Sequence, residues 1–168
     1  MWLPESAEEI ERLAREGSLE ETHSFEAKEL LGRNRDLAVD VCAMTPDGGT
    51  LLYGIGEDDD SRPTRPVPFE LEGQRERLDQ VVATSIVEPP TIVVTERSSA
   101  DDPSRGYLVV NVPQSARAPH QVVVGGDLRY YGRDATGNRR LTEPEVAALI
   151  LECHLTSRRC PAWVETRG

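Results

Sequence analysis

The segment Pro46-Asp47-Gly48-Gly49 constrains the fold of this chain more than any other feature. Proline cannot continue a helix and glycine supplies positive φ, so the tetrad reads as a tight turn. Before it, Leu37, Val41 and Met44 recur on one stripe of a helix over residues 35–44. After it, Thr50–Ile55 reads as a buried strand. A helix turned straight into a buried strand belongs to a mixed α+β domain.

The flanking segments extend that reading. Residues 5–16 form a short amphipathic helix with Ile10 and Leu13 on one face, ended by Gly17. Residues 23–28 alternate as a strand, placing Ser24, Glu26 and Lys28 on one face. A helix is expected over 70–87 and strands over 91–96 and 107–112. Gln121–Val124 and Leu128–Tyr131 bracket Gly125-Gly126-Asp127, a hairpin signal. Glu143–Leu151 reads as a last helix capped by Thr142, and Thr156–Gly168 as a loose polar tail. The expected class is α+β: one compact mixed-sheet domain with an N-terminal and a C-terminal helix. Its divisions are a helical extension over 1–20, a core over 21–152 and a tail over 153–168.

Charge sharpens the functional question. The 168 residues carry 30 acids and 19 bases, a net charge of −11, which excludes indiscriminate coating of nucleic acid. The surplus is local: residues 1–60 hold 16 acids and 5 bases, and residues 61–168 hold 14 of each. No apolar run reaches membrane-helix length, and the N-terminus lacks the pattern of a secretory signal. Cys42, Cys153 and Cys160 form no CxxC pair, which suits a reducing cytoplasm, and Cys42 reads as an inert core thiol. Lys28 is the sole lysine.

Glu21 and Glu26 flank the start of the first strand, and Glu57 follows the second. Two adjacent strands would bring these acids to one sheet end, as hard ligands for Mg²⁺ or Mn²⁺. Lys28, on the face of Glu26, would offset phosphate charge. Acidic chains hold many such triplets, and solvated surface acids are the competing reading; Glu26, set between Phe25 and Ala27, weighs against it. Gly48–Gly56 is glycine-rich but lacks a Gly-Lys-Ser/Thr ending and a following helix, so no ATP site is evident. From Arg117 to Arg140 there are five arginines and two acids. There Arg129, Arg133, Arg139 and Arg140 are candidate phosphate contacts, and Tyr131 a candidate base-stacking residue. A hairpin with merely exposed arginines is the alternative. His23, between Glu21 and Glu26, is a candidate base or ligand, and no Ser/His/Asp or Cys/His nucleophile stands out.

Taken in order, these segments resemble the Schlafen AlbA_2 domain from about Glu21 to Leu149. That family opens with Glu, four residues, then Glu-Phe-Lys; here the pattern is Glu21, four residues, then Glu26-Ala27-Lys28. Its Ala-Asn-Thr-x-Gly-Gly turn matches Met44–Gly49, and its Gly-Val-Asp-Asp matches Gly54-Ile55-Gly56-Glu57. A Ser-x-x-x-Pro stretch, a Tyr-x-Arg and a closing helix follow at Ser115–Pro119, Tyr131–Arg133 and Glu143–Leu149. The resemblance implies a nucleic-acid-binding role. In animal Schlafens two such modules form a horseshoe that cleaves tRNA and rRNA with three metal-binding carboxylates. Those acids fall on Glu21, Glu26 and Glu57, implying an Mg²⁺ or Mn²⁺ cofactor and, with one module, a homodimer. Thr45, Gly56 and Glu57 depart from the family pattern. The leading expectation is a metal-dependent endoribonuclease on structured RNA such as tRNA. The alternatives are a non-catalytic nucleic-acid-binding module and a protein scaffold.

Overall fold

A computed structural model of the chain describes residues 2–124, 126–134 and 137–157. Its elements, in order, are α1 (Ala7–Arg15), β1 (Phe25–Lys28), α2 (Asn34–Met44), β2 (Gly49–Tyr53), β3 (Ile55–Glu57), β4 (Pro63–Pro66) and β5 (Phe69–Glu70). There follow α3 (Gln74–Ser85), β6 (Ile86–Val87), β7 (Val93–Ser98), β8 (Arg105–Val112), β9 (Gln121–Val124), β10 (Asp127–Asp134), β11 (Gly137–Arg140) and α4 (Glu143–Ser157).

The central sheet runs β1-β2-β8, with β7 along the other side of β8 and β5 at its end. β1 lies parallel to β2, and the other pairs are antiparallel. Strand alternation gives the sheet two covered faces. On one, Leu51, Tyr53, Leu108 and Val110 pack with Leu37, Val41 and Leu78 of α2 and α3. On the other, Ala27, Leu52, Tyr107 and Val109 pack with Ala7, Ile10 and Ala14 of α1. Ser6 caps α1 by accepting from the Glu9 amide. The N-terminal helix is therefore part of the core.

A second antiparallel sheet, β11-β10-β9-β6, packs through β9, β10 and β11 against α2. Buried on several sides, α2 is the hub of the molecule. The turn after it forms as expected: Gly48 adopts φ +80 and its amide donates to the Met44 carbonyl at 2.8 Å. Thr45 is fully buried, and its hydroxyl donates to the Cys42 carbonyl at 2.7 Å.

The expected strand over Thr50–Ile55 is two strands. Gly54, at φ +108, breaks it, and a Cβ there would meet the Tyr107 ring. The chain leaves the central sheet at that point and pairs with β4. The helix expected over 70–87 is shorter, because β5 and β6 take its ends into the two sheets. The last helix continues past Leu151 to Ser157, into the expected tail. The remaining tail, Cys160 and Gly125 of the hairpin lie outside the described residues. The whole is a mixed α+β domain, and no helix among the described residues is long and apolar enough to cross a membrane.

Candidate functional site

The site grows from the register of β1. Glu26 pairs with Leu51 and Lys28 with Tyr53, so both polar side chains project from the face that α2 covers. Ala27 points the other way, towards α1. Glu26 is thus forced into the interior, and charge must be matched there. Lys28 Nζ lies 2.9 Å from Glu26 Oε1, and Arg133 Nη1 from β10 lies 2.8 Å from Glu26 Oε2. That second contact is an ion pair without aligned hydrogen-bond geometry. Asp40, which interrupts the apolar stripe of α2, stands 3.7 Å from Lys28 Nζ through Oδ1. Asn138 on β11 donates to that oxygen at 2.6 Å and accepts from Arg133 Nη1 at 3.2 Å. The five side chains close a ring that ties β1, α2, β10 and β11 together.

Depth differs around the ring. The Asp40 and Arg133 side chains are each 6% exposed, whereas Lys28 is 34% exposed. Burial is the largest influence on Asp40 and, with Glu26, pushes its carboxyl up to about 7 against the pull of Lys28. Burial also works against the Lys28 charge, but Asp40 and Glu26 outweigh it and hold that pKa above the ordinary lysine value. The Tyr53 hydroxyl is buried near these carboxylates without a hydrogen-bond partner among the described residues, and burial raises its pKa far above normal.

Lys28 opens into a cleft of about 380 Å³ lined by Glu21, Glu26, Glu29, Glu57 and Arg65, among others. All three carboxylates singled out in the sequence therefore line one cavity together with the lysine. Glu21 Oε1 accepts from the Ala27 amide at 3.0 Å, and Glu57 is exposed at the end of β3 beside a register shift. Arg65 Nη2 donates to Glu29 at 2.7 Å, and a Cβ at Gly56 would collide with that pair. Arg65 thus lies along the wall of the cleft beside Gly56. The acids share the cleft without forming a cage: among the described residues, no three His, Cys, Asp or Glu side chains are gathered closely enough to hold a metal ion. His23 is exposed and does not line the cleft.

The arginine hairpin divides. Arg133 points inward and serves Glu26; its Nε also donates to the Thr22 carbonyl at 3.2 Å. Arg139 is tied to Glu145 at 2.6 Å and Asp134 at 2.9 Å. The Tyr131 hydroxyl accepts from Arg35 at 3.1 Å. Arg129 and Arg140 line a separate cavity of about 760 Å³ with Tyr130, Leu141 and Val146. Arg133 thus joins the carboxylates, and it is too deeply buried to grip a phosphate. Sequence reasoning missed Asp40, Asn138 and Arg65. An acid on an apolar helical stripe was a usable signal for Asp40, while Asn138 lies on a strand that the sequence did not announce.

A family model described as Schlafen, AlbA_2 matches residues 21–142, more than half of the chain. No curated protein matches. Among solved structures, the crystal structure of the DIP2311 protein from Corynebacterium diphtheriae is similar at 21% identity and a TM-score of 0.53. The match covers 82% of this chain and 27% of that one, so the chain spans about a quarter of that relative's length. At this identity the likeness shows the fold alone.

Proposed function

The chain belongs to the Schlafen AlbA_2 family, and on that premise we propose that it is a metal-dependent endoribonuclease acting on structured RNA such as tRNA. Membership points to a nucleic-acid-related function; the nuclease reading adds a reaction and a site. The observation that carries it is the single cleft lined by Glu21, Glu26, Glu57 and Lys28. In donor type the cleft fits Mg²⁺ or Mn²⁺: three carboxylates supply hard oxygens and no soft ligand competes. Glu21, Glu26 and Glu57 would hold the ion, drawn together from their present positions. A bound ion supplies Lewis acidity towards a phosphate and lowers the pKa of its water.

The chain's own groups do the rest. Lys28 presents a fixed ammonium to a phosphate in the cleft, and Arg65 adds a second cation at its wall. Arg133 orients Glu26 from behind. We extend the proposal to a homodimer, in which a second copy would complete a groove for structured RNA.

The test is to incubate tRNA with the protein and Mn²⁺. Cleavage is expected, with loss of the activity in Glu21→Gln. A protein that never cleaves, or a variant that cleaves as well as wild type, contradicts the proposal.

A second reading is a non-catalytic nucleic-acid-binding module. It is favoured by one observation: both Glu26 oxygens already face cations, Lys28 and Arg133. It expects RNA affinity that falls with salt and needs no divalent ion.

A further inference from the structure

Two carboxylates at different depths share one ammonium. Glu26 lines the cleft, whereas Asp40 lies beneath it, 6% exposed, and is not among the lining residues. Asp40 therefore cannot touch a ligand in the cleft and acts only through what it holds. Its Oδ1 faces Lys28 Nζ at 3.7 Å and accepts from Asn138 at 2.6 Å. The Asn138 amide cannot turn away without also losing Arg133, so Asp40 is oriented from two sides. If Glu26 engages a ligand, Lys28 loses its 2.9 Å partner, and Asp40 is the acceptor that remains within the ring. Without Asp40, an ammonium on a four-carbon stem would follow Glu26 or swing to solvent.

We infer that Asp40 is a positioning residue that keeps the Lys28 ammonium fixed in the cleft for a phosphate group of a nucleic acid, independently of what Glu26 does. This inference rests on the cleft being the RNA site. It differs from the family's carboxylate chemistry in naming a residue that never meets the substrate.

Because Lys28 is the only lysine, protein labelled with ¹³C-lysine gives a single set of lysine ε-CH₂ signals. Wild type should show two resolved Hε shifts, the mark of a locked side chain. In Glu26→Gln, where Asp40 is left as the ion-pair partner of Lys28, the splitting should persist at pH 8; adding Asp40→Asn should collapse it towards one shift while the backbone amide spectrum stays folded, and Asp40→Glu in its place should restore it. Should Asp40→Asn not fold, Asn138→Ala gives the same loss at smaller size. Affinity for a tRNA transcript closes the test. Asp40→Asn and Lys28→Met should each weaken binding roughly tenfold, and the double variant should be no weaker than Lys28→Met alone. An unchanged Lys28 signal when Asp40→Asn is added to Glu26→Gln, or binding effects that add, overturns the positioning role. If wild type binds no RNA while the lysine signals behave as expected, the positioning of Lys28 stands and the RNA reading of the cleft fails.

Discussion

Arg133 and Glu26 face each other at 2.8 Å across two sheets, the guanidinium 6% exposed and the carboxylate 11%. Removing one partner would leave the other charged and enclosed, which costs about 3–5 kcal/mol. Glu26→Ala should therefore lower the urea midpoint sharply, while Glu57→Ala, at an exposed position, should stay within about 0.5 kcal/mol of wild type. Loss of function in a Glu26 variant would then conflate folding with chemistry, and Glu57 and Glu21 are the cleaner probes. Equal stability of the two alanine variants would contradict the buried pairing.

Asp40 gives the fold a defined pH response. Its carboxyl is raised from 3.8 to about 7, chiefly by burial, so the folded state holds a proton that the unfolded chain releases. Stability from this group is full below pH 3.8 and declines as pH rises through about 7. Lys28, Glu26, Asp36 and Arg133 are the charged groups acting on it. Asp40→Asn should flatten the fall in urea midpoint between about pH 4 and 7, as followed by circular dichroism. A wild-type slope that survives the substitution would contradict the raised pKa.

His120 should act in the opposite sense. It is buried, with Nδ1 2.7 Å from the Glu88 carbonyl and Nε2 2.7 Å from Ser115 Oγ. Burial lowers its pKa below 6.5, so its contribution to stability is present above 6.5 and is lost as pH falls through the folded value. His120→Gln should reduce acid sensitivity below pH 6.5 while lowering stability at pH 8, where both hydrogen bonds are intact. Unfolding curves at pH 5.5 and 8 check both signs.

Gly106 lets β8 approach β7. A Cβ there would meet the carbonyl of Arg97, which is backbone and cannot swing aside. Gly106→Ala should cost about 1–3 kcal/mol, measured as a lower thermal midpoint. Gly126→Ala, where no atom crowds the Cβ, meets only the strain of φ +81 and should cost less.

Much of this was legible from side-chain periodicity. The alternation of β1 put Glu26 and Lys28 on one face, and the tetrad at Pro46–Gly49 set α2 against β2. The three acids line one cleft as two adjacent strands led us to expect, but Glu57 reaches it on β3, after the chain has left the central sheet. The destination of Arg133 was not legible. A local count of arginines suggests a phosphate-binding hairpin, yet the charge of Arg133 is matched by a residue on a distant strand. β11 was missed because Gly-Asn-Arg-Arg has no apolar alternation, and with it went Asn138. The break at Gly54 was hidden because its cause is the ring of Tyr107, on a strand far along the chain.

The most direct test of the central claim is the rate of tRNA cleavage in Mn²⁺ by wild type and by Glu57→Gln. Glu57 is exposed, so the substitution leaves the buried ring intact. The account predicts cleavage by wild type and a loss of roughly a hundredfold or more in a variant that remains folded, since the metal's activation of water depends on its ligands. Equal rates in the two proteins, or no cleavage by wild type at any divalent ion concentration, would contradict it.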